Sequence, residues 1–388
     1  MTTSRGLSVA LAAAYPELAD VAAVAPDPVY LVGGAVRDLM LGRGRSDVDL
    51  AVEGDPAALA AALGATTVAA HSRFGTMKVD WRGEELDLAA TRRERYARPG
   101  ALPTVELGPP IRTDLARRDF TVNAMAIPLA DPEELLDPYD GQADLRAGLL
   151  RVIHDRSFVD DPTRAIRAAR YAARFGFEPE ERTEALLRAA DLGSVTPERR
   201  AEELRRLARE AGAVRGLELL ADWGLVEPRE GGLEWARRVD GLLGAAEWAG
   251  EVDRPDAILA AAGVLAVTSP EERAASAPRA AARGDADPVA RAAELAAARP
   301  ARPSEGAALA RGVDPLVLVL ARARGAAWLD DWLGWREVTL EITGADLTAA
   351  GLAGPAIGRG LAAALAARLD GGAPTRADQL RIALEQPR

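Results

Sequence analysis

Two short stretches constrain this chain more than any others: Leu31-Val-Gly-Gly-Ala-Val-Arg37-Asp38 and, soon after, Ser46-Asp47-Val-Asp49-Leu50. A glycine pair following a β-branched run predicts a strand that turns directly into a helix. The next apolar run carries two carboxylates spaced i, i+2. Side chains alternate faces along a strand, so Asp47 and Asp49 share one face, with Cα atoms roughly 7 Å apart. At that separation both can reach one divalent ion or a pair of ions. Gly33 and Gly34 bare the backbone N–H groups at a helix start, where an anionic phosphate is stabilised. Taken singly, these are a tight turn and a solvated strand end. Taken together, with the cradle thirteen residues before the acids, they suit nucleotidyl transfer from a triphosphate. Such chemistry often uses a third acid. Glu85 and Asp87 alternate on a later strand and both qualify, with Asp87 preferred.

At 388 residues the chain has room for two to four domains with real cores. It contains no cysteine, which excludes disulfides and thiolate metal sites. No apolar run reaches membrane-spanning length. The weakly apolar start reads as a helix rather than a secretion signal, so the expected location is cytoplasmic. His71 and His154 are the only histidines, too few for a His–Asp metal phosphohydrolase site. A net charge of −11 argues against a nucleic-acid partner for the surface as a whole. Residues 143–217 nevertheless hold 15 Arg against 13 acidic residues, and the planar arginine fork suits phosphates and base edges. Lys78 is the single lysine.

Residues 28–130 read as mixed α/β. Val29–Val32 and Val48–Val52 have strand character, and Pro56–Leu63 reads as a helix. Met77–Trp81 and Glu85–Ala89 alternate around an Arg82-Gly83 hairpin turn. Tyr96–Thr104 is rich in Pro and Gly and reads as a mobile loop. From about residue 143 the pattern is helical. One helix is expected over Pro162–Phe175, with proline at its first position and Gly176 at its end. A second is expected from Pro197 to about Glu210, with Thr196 as N-cap. Helices are expected to continue through Trp223, Trp235 and Trp248. Residues 273–312 read as loose helix or linker, and Gly344–Gly358 as a helix–turn–helix.

Two further constellations carry chemistry. In Arg117-Arg118-Asp119-Phe-Thr-Val-Asn123, arginines suit phosphates while the acid and the amide suit hydroxyls; the plain alternative is a surface ion-pair cluster. In Asp161-Pro-Thr-Arg164-Ala-Ile-Arg167-Ala-Ala-Arg170, helical spacing brings the charged positions mostly to one side. A carboxylate beside a guanidinium complements the amine-plus-acceptor edge shared by cytosine and adenine. It mismatches guanine and uracil, and a buried mismatch is strongly rejected. The plain alternative is a helix cap followed by a solvated arginine face.

In this order and spacing the motifs resemble the class II tRNA nucleotidyltransferase and bacterial poly(A) polymerase family over roughly residues 28–215. Asp137-Pro-x-x-Gly141-x-x-Asp144-Leu145 and Thr196-Pro-Glu-Arg199-Arg200 add to the likeness. The resemblance implies an α+β chain with a polymerase-beta-like head at 25–142. A helical neck at 143–212, a body at 213–310 and a tail at 311–388 would follow. It implies Mg2+ on Asp47 and Asp49. It implies nucleotide contacts from Gly33, Gly34, Arg37, Arg118, Asp119 and Asn123, and base reading by Asp161 and Arg164 with support from Arg167 and Arg170. The implied partners are the tRNA 3′ acceptor end, CTP and ATP. Two positions depart from the family pattern: Asp160 stands where Glu is usual, and Arg200 where Ile is commoner. A full-length loop over Glu94–Thr113 and the His71-x-Arg73-Phe74-Gly75-Thr76 stretch favour addition of C-C-A or of the terminal A. The rival readings are a poly(A) polymerase, whose arginine-rich signature after the acid pair is absent here, and an inactive tRNA-binding module.

Overall fold

The computed structural model describes residues 4–71, 74–264 and 287–386. Arg73 and the 273–286 part of the low-complexity stretch lie outside them. The chain divides into two compact units, Met1–Val226 and Glu227–Arg388.

The first unit begins with helices α1 (Ser4–Ala14) and α2 (Leu18–Val24), then builds a six-stranded sheet. Its strands are β1 (Val29–Val32), β2 (Val48–Val52), β3 (Thr66–His71), β4 (Thr76–Trp81), β5 (Glu84–Ala90) and, separated in sequence, Ala126–Pro128. Their order across the sheet is β3, β4, β5, β2, β1 and then Ala126–Pro128. Only β2 and β5 pair in parallel; the other neighbours are antiparallel. Alternation sets the two faces. Val48, Leu50, Leu86 and Leu88 turn into the core, each at most 2% exposed, while Asp49 and Asp87 stand opposite one another in register on the other face. The Arg82-Gly83 turn joins β4 to β5 with φ of 56° and 81°, as a two-residue hairpin requires.

Helix α3 (Gly34–Met40) follows β1 immediately, with Gly33 at φ +68°. Helix α4 (Pro56–Leu63) is framed as its sequence specifies: the Asp55 carboxylate accepts from Ala57 N, proline opens it, and Gly64 closes it left-handed. The edge strand β3 was not expected from the sequence. Its side chains are exposed throughout, so it lacks the apolar alternation that marks a half-buried strand. The stretch read as a mobile loop is the tip of a hairpin. Its stem is β6 (Arg92–Arg95) paired with β7 (Thr104–Leu107), held by charged side chains rather than apolar ones. A short helix α5 (Ile111–Ala116) follows.

Beyond the sheet come α6 (Gly141–Ala147), α7 (Ser157–Asp160), α8 (Thr163–Phe175), α9 (Glu181–Arg188), α10 (Pro197–Arg209) and α11 (Ala213–Asp222). Helix α8 starts one residue later than expected. Pro162 takes the N-cap position, and the Asp161 carboxylate accepts from Thr163 N in the manner of a cap. Gly176 ends it at φ 72°. Ala165, Ile166, Ala168 and Ala169 bury its inner face, each at most 1% exposed. Phe120 joins sheet and helices: it packs edge-on against Tyr171 at 5.9 Å and lies 6.4 Å from Phe158. Residues 213–226 belong to this unit, where Gly216 lets α11 close onto Leu207 of α10.

The second unit is helical throughout its described residues: α12 (Gly232–Leu243), α13 (Arg254–Ala262), α14 (Pro288–Ala297), α15 (Pro303–Ala310), α16 (Pro315–Arg324), α17 (Trp328–Trp335), α18 (Gly344–Ala349), α19 (Pro355–Leu369) and α20 (Arg376–Leu384). Trp235 on α12 donates to Leu320 O on α16 at 3.1 Å. Trp248, expected on a helix, lies in a turn and is pinned by its indole N–H to Asp330 at 3.2 Å. Ile342, Leu347, Leu352, Ala364 and Ala383 form a separate small core under the α18–α19 corner. A capping box of Thr375 and Asp378 starts α20. No single helix among the described residues is long and apolar enough to cross a membrane.

Candidate active site

One cavity of about 810 Å³ in the first unit gathers the expected residues. Gly33, Gly34, Arg37, Asp49, Asp87, Arg118, Asp119, Asn123, Asp161, Arg164, Arg167 and Arg170 all line it. Asp47 does not. It is exposed just before β2 and lines a neighbouring depression with Arg43, Arg45 and Arg174. Glu85 is also outside the lining, and its carboxylate takes the Lys78 ammonium at 2.5 Å.

The glycine cradle is shaped by a close approach. A Cβ on Gly33 would stand 2.8 Å from Arg118 Nη1, and the positive φ there is one that L side chains rarely adopt. Glycine thus lets the Arg118 guanidinium lie against the start of α3. Arg118 Nη2 is anchored to Asp114 at 3.0 Å, while its Nε is buried without a hydrogen-bond partner. Arg37 is almost fully buried. It donates to Asp38 at 2.9 Å and Asn123 at 2.7 Å, and stacks over Phe175 at 4.4 Å. These bonds occupy part of its fork.

Asp49 is electrostatically stressed. Burial is the chief force pushing the Asp49 carboxyl up to about 6; Arg118 opposes it, and the charges of Asp87 and Asp47 raise it further. The Asp49 carboxylate has no hydrogen bond or ion pair to the described residues, and that of Asp87 has only Lys78, at 3.5 Å. Among the described residues no three acidic or histidine side chains converge into a closed metal cage. The donor set still fits a divalent cation. It consists of a half-buried carboxylate destabilised by two like charges, with hard oxygen ligands on one face of the sheet.

The Arg117–Asn123 motif is a buried network, not a surface cluster. Both oxygens of Asp119 are committed to the protein. Oδ1 accepts from Phe120 N at 2.8 Å and Asn123 at 3.0 Å, and Oδ2 accepts from Arg167 Nε at 2.8 Å. Burial alone would raise this carboxyl. The Arg167 charge and the Asn123 hydrogen bond outweigh it and bring the group down to about 2. Burial likewise opposes ionisation of Asp114, yet Arg118 and Arg117 hold its pKa below the usual range.

Asp161 and Arg164 both face the cavity but do not bond to one another. Asp161 Oδ1 accepts from Thr163 N at 3.2 Å, Thr163 Oγ1 at 2.7 Å and Arg199 Nη2 at 3.1 Å. This leaves Oδ2 without a hydrogen bond. Arg164 is held by Ser157 Oγ at 2.8 Å and Arg117 O at 2.6 Å. Cap and cavity wall, weighed as alternatives in the sequence, are therefore both true of Asp161. Arg199 also donates to Gly100 O at 2.8 Å in the hairpin tip. Glu94, at the hairpin base, bonds Arg117 at 3.1 Å and Tyr96 at 2.7 Å. Sequence reading missed the roles of Glu94, whose strand carries no apolar signal, and of Tyr96, which lies just beyond that strand. Ser157, seven residues before Arg164 on another helix, has no spacing that marks it.

The family model described as poly A polymerase head domain matches residues 29–151. An A-adding tRNA nucleotidyltransferase of Halalkalibacterium halodurans is 42% identical over 221 residues, which is 53% of this chain and 51% of that protein. The chain thus spans about half the length of this curated relative. A CCA-adding enzyme solved in an apo form superposes with a TM-score of 0.82 at 28% identity, over 97% of this chain and 98% of that one. The CCA-adding enzyme of Thermotoga maritima, solved in complex with tRNA(CCA), gives a TM-score of 0.74 at 28% identity over 95% and 93% of the two chains. Residues 29–151 thus match a poly A polymerase head domain, and over nearly its whole length the chain is similar in fold and sequence to CCA-adding enzymes.

Proposed function

We propose that the chain is a tRNA nucleotidyltransferase that adds the 3′-terminal C-C-A, or its terminal A alone, to tRNA from CTP and ATP without a nucleic-acid template. The observation that carries this reading is the single cavity in which the glycine cradle, the in-register pair Asp49 and Asp87, and the side chains of Asp161 and Arg164 meet. The names of relatives that add A and C-C-A to tRNA support it. The division into head 25–142, neck 143–212, body 213–310 and tail 311–388, and a cytoplasmic location, belong to the same proposal.

In this reading the N–H groups at Gly33 and Gly34 and the guanidinium of Arg118 bind the triphosphate. Arg37 holds Asn123, and Asp119 holds Arg167, so these groups orient one another beneath the nucleotide. The free oxygen of Asp161 and the remaining donors of Arg164 bind the base edge, accepting the amine of C or A and donating to its ring acceptor. Asp87 stands beside Asp49 to take the proton of the attacking 3′-hydroxyl. Asp47 and Asp49, with Asp87 adjacent, would hold Mg2+, which supplies Lewis-acid neutralisation of the phosphate charge. The 3′-oxygen bonds to the α-phosphorus, and the bond to pyrophosphate breaks.

The test offers the purified chain tRNA transcripts that stop before the first C, after one C and after two, each with a single nucleotide. For C-C-A addition, CTP alone is expected to add two C to the first transcript and one to the second, and ATP one A to the third; for addition of the terminal A alone, only the third transcript is extended, with pyrophosphate released in each case. Long A tails on any RNA would mean a poly(A) polymerase. No pyrophosphate with any substrate would mean a binding module.

A further inference from the structure

We propose that Lys78 binds the last phosphodiester of the incoming RNA 3′ end, on the side of the acids away from the triphosphate cradle. The inference rests on the nucleotidyltransferase reading above and adds the place where the RNA enters. The order across the sheet carries it. The cradle stands at the end of β1, Asp49 on β2, Asp87 on β5 and Lys78 on β4. Asp49, Asp87 and Lys78 are register partners, so they form one row on one face. Strands lie roughly 4.8 Å apart, which sets Lys78 two strands beyond Asp49.

In-line displacement at phosphorus puts the attacking oxygen opposite the leaving group. The leaving pyrophosphate lies at the cradle, on the β1 side. The attacking hydroxyl, and the phosphate one nucleotide behind it, therefore come from the β5–β4 side. Among the described residues lining the cavity, Lys78 is the only lysine or arginine supplied by β3, β4 or β5. Its present partners do not commit it. Glu85 and Asp87 are 60% and 41% exposed at their side chains, and such exposed pairs are weak and readily exchanged. An RNA phosphate in the cavity offers the ammonium an alternative anion, and its move away from Asp87 frees that carboxylate for the hydroxyl.

The experiment uses the full chain, ATP, and tRNA lacking only its terminal A. The last linkage is either an ordinary phosphodiester or an uncharged methylphosphonate. Lys78→Met is expected to raise KM for ordinary tRNA about ten-fold, the loss of one charge-assisted contact, with KM for ATP unchanged. Lys78→Arg is expected to keep KM for tRNA near wild type, which separates loss of charge from loss of fold. The methylphosphonate is expected to cost the wild type as much as the Met substitution does. Combined, the two changes cost no more than either alone. Additive costs, or a raised KM for ATP with KM for tRNA flat, would overturn the assignment. If the wild type extends no tRNA, the parent reading fails. Direct binding of the two RNAs to wild type and Lys78→Met then judges Lys78 by the same comparison.

Discussion

A carboxylate that the fold makes uncomfortable is the mark of Asp49. Its ionised form is disfavoured by burial and by Asp87 and Asp47, so the folded chain carries a cost that a cation would relieve. Asp49→Asn removes that charge at constant shape. It is expected to lower nucleotide transfer about a thousand-fold or more while raising the melting temperature in metal-free buffer. Adding Mg2+ should raise the melting temperature of the wild type but not of the variant, because only a state that binds the ion gains from it. A wild-type melting curve that ignores Mg2+ would contradict the assignment. Asp119 is the opposite case. Its carboxyl, brought down to about 2 chiefly by Arg167 against the pull of burial, lies below its unfolded value of roughly 3.9. The folded state therefore holds fewer protons between these values. The stabilisation is complete above about pH 4 and is lost as pH falls through about 2. Relative to Asp119→Asn, the wild type should lose on the order of 2–3 kcal/mol across that window in acid urea titrations. At neutral pH the variant should be the less stable, since it leaves the half-buried Arg167 beside an amide in place of a carboxylate.

At the level of elements, legibility followed apolar patterning. Strands β1, β2, β4 and β5 and helices α3, α4, α8 and α10 were readable because their inward faces are apolar at fixed period and their ends carry Asp55, Gly64 or Gly176. Strands β3, β6 and β7 were not. Threonines and exposed alanines in β3, and Arg92, Arg93, Glu94 and Arg95 in β6, pair through backbone bonds and ions that leave no hydrophobic trace. The same limit applies to the site. Residues that enter as motifs were visible, whereas Ser157 and Glu94, which hold Arg164 and Arg117, are separated from their partners by a change of element. Helix α8 is where this matters for chemistry. Arg164 is fixed at both amino groups, by Ser157 from α7 and by the carbonyl of Arg117, so its direction is set before a base arrives. Arg164→Ala is expected to relax the preference for C and A over U and G by about ten-fold or more, since one edge pattern no longer goes unpaired. Single-nucleotide kcat/KM values for CTP, UTP, ATP and GTP check this. A loss of activity with the C-over-U ratio unchanged would remove Arg164 from base reading.

At the scale of the molecule, the cavity belongs to one of the two compact units. Every residue lining the cavity lies before residue 227. The first unit also has a core of its own, from Leu31 and Leu50 in the sheet through Phe120 to Leu204 and Leu217 in the helices. The second unit has separate cores around Val317–Ala321 and Ile342–Ala383, and none of its described residues lines the cavity. A nucleotide should therefore find its complete site in residues 1–226. Expressed alone, this fragment is expected to fold cooperatively and to bind ATP within about threefold of the whole chain, a difference under 1 kcal/mol. An acceptor stem is longer than the cavity, and its phosphates need surface beyond it. The fragment should consequently lose at least about ten-fold in tRNA affinity, with a smaller dependence on salt as phosphate contacts are lost. Calorimetry with ATP and filter binding with tRNA at several salt concentrations separate the two effects. Equal loss of both ligands would mean that the second unit shapes the nucleotide site. Undiminished tRNA binding would mean that the helical unit after residue 226 serves some other partner.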